Sequence, residues 1–549
     1  MHRLDPGGRR CRHTPPVWQG PAESIVYDVE AAKATLRCLD KPCYVVQNGH
    51  GIGLTHEGSV APLQVNERPE YGGAETHLVA AVAPVDRAAL GDPGFLETYG
   101  VKAAYMAGSM ANGIASEEMV IALGNAGFLG AFGAGGLSPQ RLEDAIHRIQ
   151  GALPDGPFAF NLIHSPHEPL LERRAVELYL KHGVRVIEAS AYLALTPYLV
   201  AYRAAGLSVG MQGQVQVGNR VIAKLSRREV AQQFMHPAPE KLLQPLVAEG
   251  LITPDQAELA RRVPVADDIT VEADSGGHTD NRPLVCLLPS ISALRDEVQA
   301  EQGYETPVRI GAGGGIGTPV SALGAFMMGA AYVVTGSVNH GCVEAGTSGH
   351  VKKLLSMAGM ADVMMAPAAD MFELGVNVQV LKRGTMFGLR GRKLYELYTT
   401  YDSLEEIPAA ELQKLERQIL QRSVEEVWAD CVAFFSARDP SQIARAQGNP
   451  KRKMALVFRW YLGLATRWGV MGEPGRELDY QIWCGPAMGA FNDWVRGSYL
   501  EVPENRHVAD VARQIMDGAA YLYRVQALKM QGARLPATTD TWQPVSVDR

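Results

Sequence analysis

Apolar residues in the middle of the chain fall into two alternating kinds of stretch. Short, nearly continuous runs are FLGAFG (128–133), FAFNLI (158–163), VRVIEAS (184–190), RVIAKL (220–225), DITVEAD (268–274) and VRIGAGG (308–314). Their length and β-branched or aromatic content suit buried strands. Each precedes a longer amphipathic stretch. In SPQRLEDAIHRIQ (138–150), Ser138 suits an N-cap, Pro139 the first helical position, and the apolar residues recur at helical spacing. With AAYMAG (103–108) and AYVVTGS (331–337), the pattern makes eight strand–helix units between residues 103 and 359. Such alternation implies a parallel α/β sheet. Eight units fit a closed (β/α)8 TIM barrel over 101–369, with an open doubly wound sheet as the alternative.

Two regions lie outside this count. Residues 17–100 carry strand-like pieces, PCYVVQNG and GIGLTH, among Pro and Gly, and read as a small β-rich segment. Residues 370–549 read as a mostly helical subdomain, because PAAELQKLERQILQRSVEEVW (408–428) and RHVADVARQIMDGAAYLYRVQALKMQG (506–532) both have helical periodicity. Five of the seven tryptophans fall between these helices or just before that stretch. They suit either an apolar pocket or the subdomain's core. Residues 1–16 are basic with no apolar run behind them, which predicts a disordered arm and not a secretory signal.

Composition narrows the function classes. The chain is 46% hydrophobic and 20% charged, with a net charge of −7. That balance predicts a soluble cytoplasmic protein and does not support a nucleic-acid partner. The most apolar stretch, 324–338, is too short and too interrupted to span a bilayer, so no membrane partner is expected. Seven irregularly spaced cysteines without a CxxC predict reduced thiols, with neither a disulfide frame nor a metal site.

In a barrel, chemistry gathers at the C-terminal ends of the strands, and a phosphate site often forms after strands seven and eight. Here those strands run into GAGGGIGTP (311–319) and TGS (335–337). Glycines let backbone amides approach phosphate, and a helix begins near Thr318-Pro319. No GK[ST] follows, so this is not a Walker loop. YMAGSM (105–110) offers small residues and methionine that can floor a planar cofactor. Asn161 can offer amide hydrogen bonds. Lys224 stands where strand alternation would be apolar, and suits a phosphate or an electron-rich ring, or else a snorkelling surface position. EADSGGHTDNRP (272–283) breaks the sixth strand. Its glycines would let the main chain pass close to a cofactor, with His278 at the rim as a proton donor or acceptor, or as a residue that only bonds loop backbone.

These residues carry a resemblance. MAGSMANGIAS, NLIHSPHEP, VIEASAYLALTP, VIAKLSRREVA, EADSGGHTDNRPL, GAGGGIGTP, VVTGSVN and MAPAADMFELGVNVQVLKRGTMF resemble the PfaD family from about Trp18 to the C-terminus. That family comprises trans-acting enoyl reductases of polyunsaturated fatty acid and polyketide synthases. The barrel part is similar to the wider superfamily of nitronate monooxygenases and FMN-dependent enoyl-acyl-carrier-protein reductases. This chain inserts Asp-Ser after Glu272-Ala273, a form that matches the PfaD subgroup.

The resemblance implies FMN in the barrel and NADPH as reductant. Met106, Ala107 and Gly108 would contact the flavin ring, Asn161 its edge, and Lys224 the flavin. Ser275, Gly276, Gly277, Gly314, Gly315, Gly336 and Ser337 would cradle ring and phosphate. His278 matches the superfamily's active-site histidine, a base in the oxidase branch. The implied substrate is an enoyl thioester on the acyl carrier protein of a polyketide or fatty acid synthase. The basic runs RGRK (390–393) and PKRKM (450–454) would meet that acidic partner or simply face solvent. A homodimer is compatible with this assignment. The alternatives are a nitronate monooxygenase-like flavin oxidase and a catalytically silent docking subunit of a synthase.

Overall fold

The computed structural model describes residues 17–61, 76–164 and 169–546, and the proposed N-terminal arm lies outside them. Eight parallel strands close into a barrel: β1 (Tyr105–Ala107), β2 (Leu129–Phe132), β3 (Ala159–Ile163), β4 (Val186–Ser190), β5 (Arg220–Leu225), β6 (Asp268–Glu272), β7 (Arg309–Gly313) and β8 (Val333–Thr335). Each lies inside one of the eight apolar runs. Closure is made by β8 on β1, with Val333 beside Tyr105 and Thr335 beside Ala107. The closed barrel, not the open sheet, is therefore the architecture. Helices cover the outer face of such strands, which is why the runs are mostly apolar.

The covering helices used below are α1 (Glu117–Ala126), α2 (Pro139–Ala152), α3 (Pro169–Lys181) and α4 (Pro197–Ala205). Ser138 caps α2 by accepting from Arg141 N, with Pro139 in the first turn. At the starts of the strands, the buried Arg309 holds Asp268 at 2.6 Å and Arg203 holds Asp267 at 2.7 Å. These pairs close the end of the barrel opposite the strand C-termini, where they serve stability.

The chain forms two compact units. One comprises Met1–Ala89 and Asp517–Trp542, the other Leu90–Met516 and Gln543–Arg549. The first carries a five-stranded sheet in the order Gly51–Thr55, Cys43–Asn48, His77–Val82, Val17–Gln19, Ser59–Ala61. Its buried Arg524 donates to the carbonyls of Leu36, Cys38, Leu39 and Lys41.

The second unit holds the barrel and a region of helices. Two details depart from the sequence reading. The single helix expected over 408–428 is broken. Ala409–Leu415 passes into a π-helical turn, Glu416–Leu420; Gln421 is left-handed, with φ 58°; and a new helix, Val424–Arg438, starts behind Ser423. Ser423 and Glu426 form a reciprocal capping box, a helix start signal that overrides continued periodicity. Secondly, residues 363–381 contribute an antiparallel pair, Val363–Pro367 and Asn377–Leu381, where helix was expected from 370 onward. Trp428, Trp460, Trp468 and Trp483 pack against the core of the helical region. No helix among the described residues is long and apolar enough to cross a membrane.

Candidate active site

Register sets the geometry of the barrel mouth. Ala312 lies beside Val333 and Gly313 beside Val334, so the turns Gly314–Gly315 and Gly336–Ser337 leave from adjacent strands. Gly314 and Gly315 have φ of 83° and 75°, where a side chain is strained. A Cβ on Gly314 would lie 2.6 Å from the Ala273 carbonyl carbon, whereas at Gly315 and Gly336 it would meet nothing within 4 Å. The backbone N–H groups of Gly314, Gly315, Gly336 and Ser337 have no acceptor among the described residues. Neighbouring free amides at strand ends are suited to an anionic phosphate. The Ser337 hydroxyl accepts from Gly485 N at 2.9 Å, tying this turn to the helical region.

Charged side chains stand beside these turns. Lys224 Nζ on β5 lies 3.3 Å from Glu272 Oε1 at the end of β6. Burial disfavours the ammonium, but Glu272 and Glu188 outweigh it and hold the lysine above its ordinary pKa. It is a paired interior lysine, not a snorkelling one. Burial pushes the Glu272 carboxyl up, and Lys224 offsets this only in part. Glu188, fully buried on β4, accepts from the amide of Ser109 at 2.8 Å and from its hydroxyl. Its Oε1 is buried, beside Gly108, with no partner among the described residues.

The other expected site residues are also placed. Met106 and Ala107 are buried in β1, and Gly108 N donates to Thr335 O at 2.9 Å. Asn161 is buried, and its amide is already engaged with β4, donating to Ser190 Oγ at 2.6 Å and Glu188 O at 3.1 Å.

Beyond β6 the chain folds into a loop pinned from outside the barrel. Asp274 N donates to Arg282 O at 3.0 Å. Gly277 and His278 form two rungs of ladder with Gln379 and Val378. Gln379 donates to Asp274 Oδ1 at 2.7 Å and to Ser275 O at 2.8 Å. Gly276 packs main chain against main chain, since a Cβ there would lie 2.9 Å from Cys484 N. Gly277 has φ 83°, and the Ser275 hydroxyl is buried with no partner among the described residues. His278 Nε2 donates to Asp370 Oδ1 at 3.2 Å; the two side chains are 30% and 31% exposed. Burial opposes the imidazolium, but Asp370 and Glu272 outweigh it and raise its pKa. Burial likewise works against the Asp370 carboxylate, yet His278 and Arg459 hold it below the usual carboxylate range.

Sequence reasoning did not single out Asp370, Gln379, Glu188 or Ser109. Gln379 had only a weak signal, since it shares with the polar Asn377 one face of the alternating NVQVL (377–381). The basic runs do not form a free cationic face. Arg390 pairs with Asp479, Arg392 donates to Met365 O, and Lys393 pairs with Glu411. Lys451 donates to Tyr398 O and Tyr401 O, Arg452 pairs with Glu373, and Lys453 pairs with Glu405.

Free amides on two adjacent turns, a half-buried cation, and oxygens on Ser275 and Glu188 that have no partner among the described residues fit a ligand with a phosphate and a planar hydrogen-bonding ring.

Three family models match the chain: fatty acid synthase subunit PfaD N-terminal domain over residues 18–84, nitronate monooxygenase over 97–386, and the inserted helical domain of [acyl-carrier-protein] S-malonyltransferase over 401–480. A polyunsaturated fatty acid synthase subunit from a Thraustochytrium species is 50% identical over 94% of this chain and 34% of its own length. Polyketide biosynthesis protein PksE of Bacillus subtilis is 47% identical over 80% of this chain and 57% of its own. The chain thus spans between about a third and somewhat over half of these two relatives. The crystal structure of the enoyl reductase domain of MlnA, from the macrolactin biosynthesis cluster of Bacillus amyloliquefaciens, is 40% identical. It covers 81% of this chain and 99% of that one, with a TM-score of 0.77.

Proposed function

Because the chain belongs to the nitronate monooxygenase family, in its PfaD branch, we propose that it is a trans-acting enoyl reductase. In this reading it uses NADPH and bound FMN to reduce the α,β-double bond of enoyl thioesters carried on an acyl carrier protein, in polyketide or polyunsaturated fatty acid biosynthesis. The observation that carries the proposal is the meeting, at one barrel mouth, of two adjacent turns with free amides and an imidazole paired with a carboxylate.

FMN, when bound, supplies the redox chemistry, accepting two electrons from NADPH and passing them to an electron-poor double bond. The amides of Gly314, Gly315, Gly336 and Ser337 would hold its phosphate. Lys224 would offset negative charge on the ring, and Met106 to Gly108, Asn161 and Ser275 to Gly277 would border it. The thioester carbonyl takes up negative charge as the double bond is reduced, and a donor placed there lowers the barrier. His278 fits that task, since Asp370, 3.2 Å away, favours its charged form. The helical region after the barrel would cover the acyl chain and receive the carrier.

The match to the nitronate monooxygenase model supports one rival, a flavin oxidase passing electrons to oxygen. The deciding measurement is the visible spectrum of the purified protein under nitrogen. NADPH should bleach a flavin band, and crotonyl thioester should restore it. A protein that stays reduced with every enoyl thioester and turns over nitronates would refute the reductase reading. A colourless protein would favour a silent docking subunit.

A further inference from the structure

A second imidazole stands at the same mouth. His164 is the first residue after β3, and its amide donates to Ser190 O at the end of β4, at 3.1 Å. Its Nδ1 lies 3.2 Å from Oε2 of Glu172, in the first turn of α3, whose side chain is only 1% exposed. The opposite oxygen, Oε1, accepts from the Tyr192 hydroxyl at 2.9 Å and from the Thr196 hydroxyl. Among the described residues, one oxygen is thus fastened by two hydroxyls, while the other is given to the imidazole alone. The ring also stacks on Tyr192, with centroids 5.1 Å apart and planes 22° from parallel.

A purely structural role would not need this imidazole. Thr196 caps α4 through its own hydroxyl, and Tyr192 with Thr196 already anchors the carboxylate. Moreover, Ala191, which carries the chain from β4 to Tyr192, has φ 62°. A non-glycine residue in that region is strained and persists only where the surroundings over-determine it, as at functional sites. A carboxylate on Nδ1 fixes the ring and leaves Nε2 to act. Nε2 has no partner among the described residues, and the side chain is 17% exposed.

We propose that His164, positioned by Glu172, delivers the proton that completes reduction at the α-carbon, leaving His278 to hold the thioester oxygen. This rests on the enoyl reductase reading above. The electron pair that NADPH gives up as it becomes NADP⁺ reaches the β-carbon, through the relay proposed above, together with one hydrogen; the carbon–carbon π bond breaks as that C–H bond forms. His164 Nε2–H gives its proton to the α-carbon, forming the second C–H bond, and the neutral imidazole regains a proton from solvent.

The test uses the flavin-loaded full chain, NADPH and (E)-2-methylcrotonyl-N-acetylcysteamine in D₂O. The unaltered protein should place deuterium on one face and give a single α-configuration. His164→Ala and His164→Gln should lower kcat by roughly a hundredfold, the scale of a lost general acid, with KM little changed and both α-configurations formed. Glu172→Gln should lower kcat about tenfold, also at constant KM. His278→Ala should be slow yet keep one α-configuration. His164→Gln retains a hydrogen-bond donor toward Glu172, and an unchanged melting temperature and flavin content would separate lost chemistry from lost folding. Undiminished turnover to a single α-configuration in both His164 variants would overturn the proposal alone. Failure of the unaltered protein to reduce any enoyl thioester would overturn the functional reading and this proposal with it.

Discussion

Replacing Asp370 by Asn keeps the shape of the residue facing His278 and removes its charge. The two groups are 3.2 Å apart and each about a third exposed, so water screens part of their attraction. A charge-assisted hydrogen bond contributes about 1.5–3 kcal/mol, and the exposure argues for the lower end, about 1.5 kcal/mol. At about 1.4 kcal/mol per factor of ten, the imidazolium population above its own pKa should fall roughly tenfold. The sign follows from the direction of the shift. Asp370 raises the His278 pKa, so the charged form is complete at low pH and is lost as pH rises through the raised value. Without Asp370 that loss comes at lower pH. In a profile of kcat/KM for a crotonyl thioester from about pH 6 to about pH 9, the acid plateau should survive and the alkaline decline should begin earlier. The same pair adds stability only between the lowered pKa of Asp370 and the raised pKa of His278. The melting-temperature difference between the two proteins should therefore shrink outside that window. A coincident pH profile, or one displaced toward alkali, would refute the reasoning.

Three further outcomes are expected. Gly336→Ala places a methyl in open space, so stability should hold within about 0.5 kcal/mol while the ratio of visible to ultraviolet absorbance drops through loss of flavin; retained flavin would argue against the phosphate cradle. Lys224→Met strands the Glu272 carboxylate without its partner and should cost about 3 kcal/mol in urea unfolding, much of it recovered in Lys224→Met/Glu272→Leu; simple additivity would sink the pairing argument. Gln379→Leu leaves the Ser275 carbonyl without its donor and should cost about 1–3 kcal/mol, with faster amide exchange confined to residues 274–282.

The barrel was legible because both faces of its strands are largely buried, so the strands appear as short, mostly apolar runs, several of them ending at Gly or Ser. The turn glycines were legible for a related reason, since Gly314 and Gly315 occupy backbone conformations that other residues avoid. The strand Asn377–Leu381 was harder to see. It is five residues long, lies among helices, and takes its meaning from pairing with Gly277 and His278. The π-turn at Glu416–Leu420 was hidden because helical periodicity runs straight through it. The partners of His278 and His164 were invisible for a different reason. Asp370 and Glu172 are ordinary acids in sequence, and only folding brings each to an imidazole.

His278 owes its bearing to a rung whose opposite rail lies about a hundred residues downstream. A fragment ending just past the last barrel strand would keep both glycine turns but lose Asp370, Gln379 and the edge that steadies the 274–282 loop. Any shortened form of the chain that keeps the partners of this imidazole must therefore include the barrel together with its downstream hairpin.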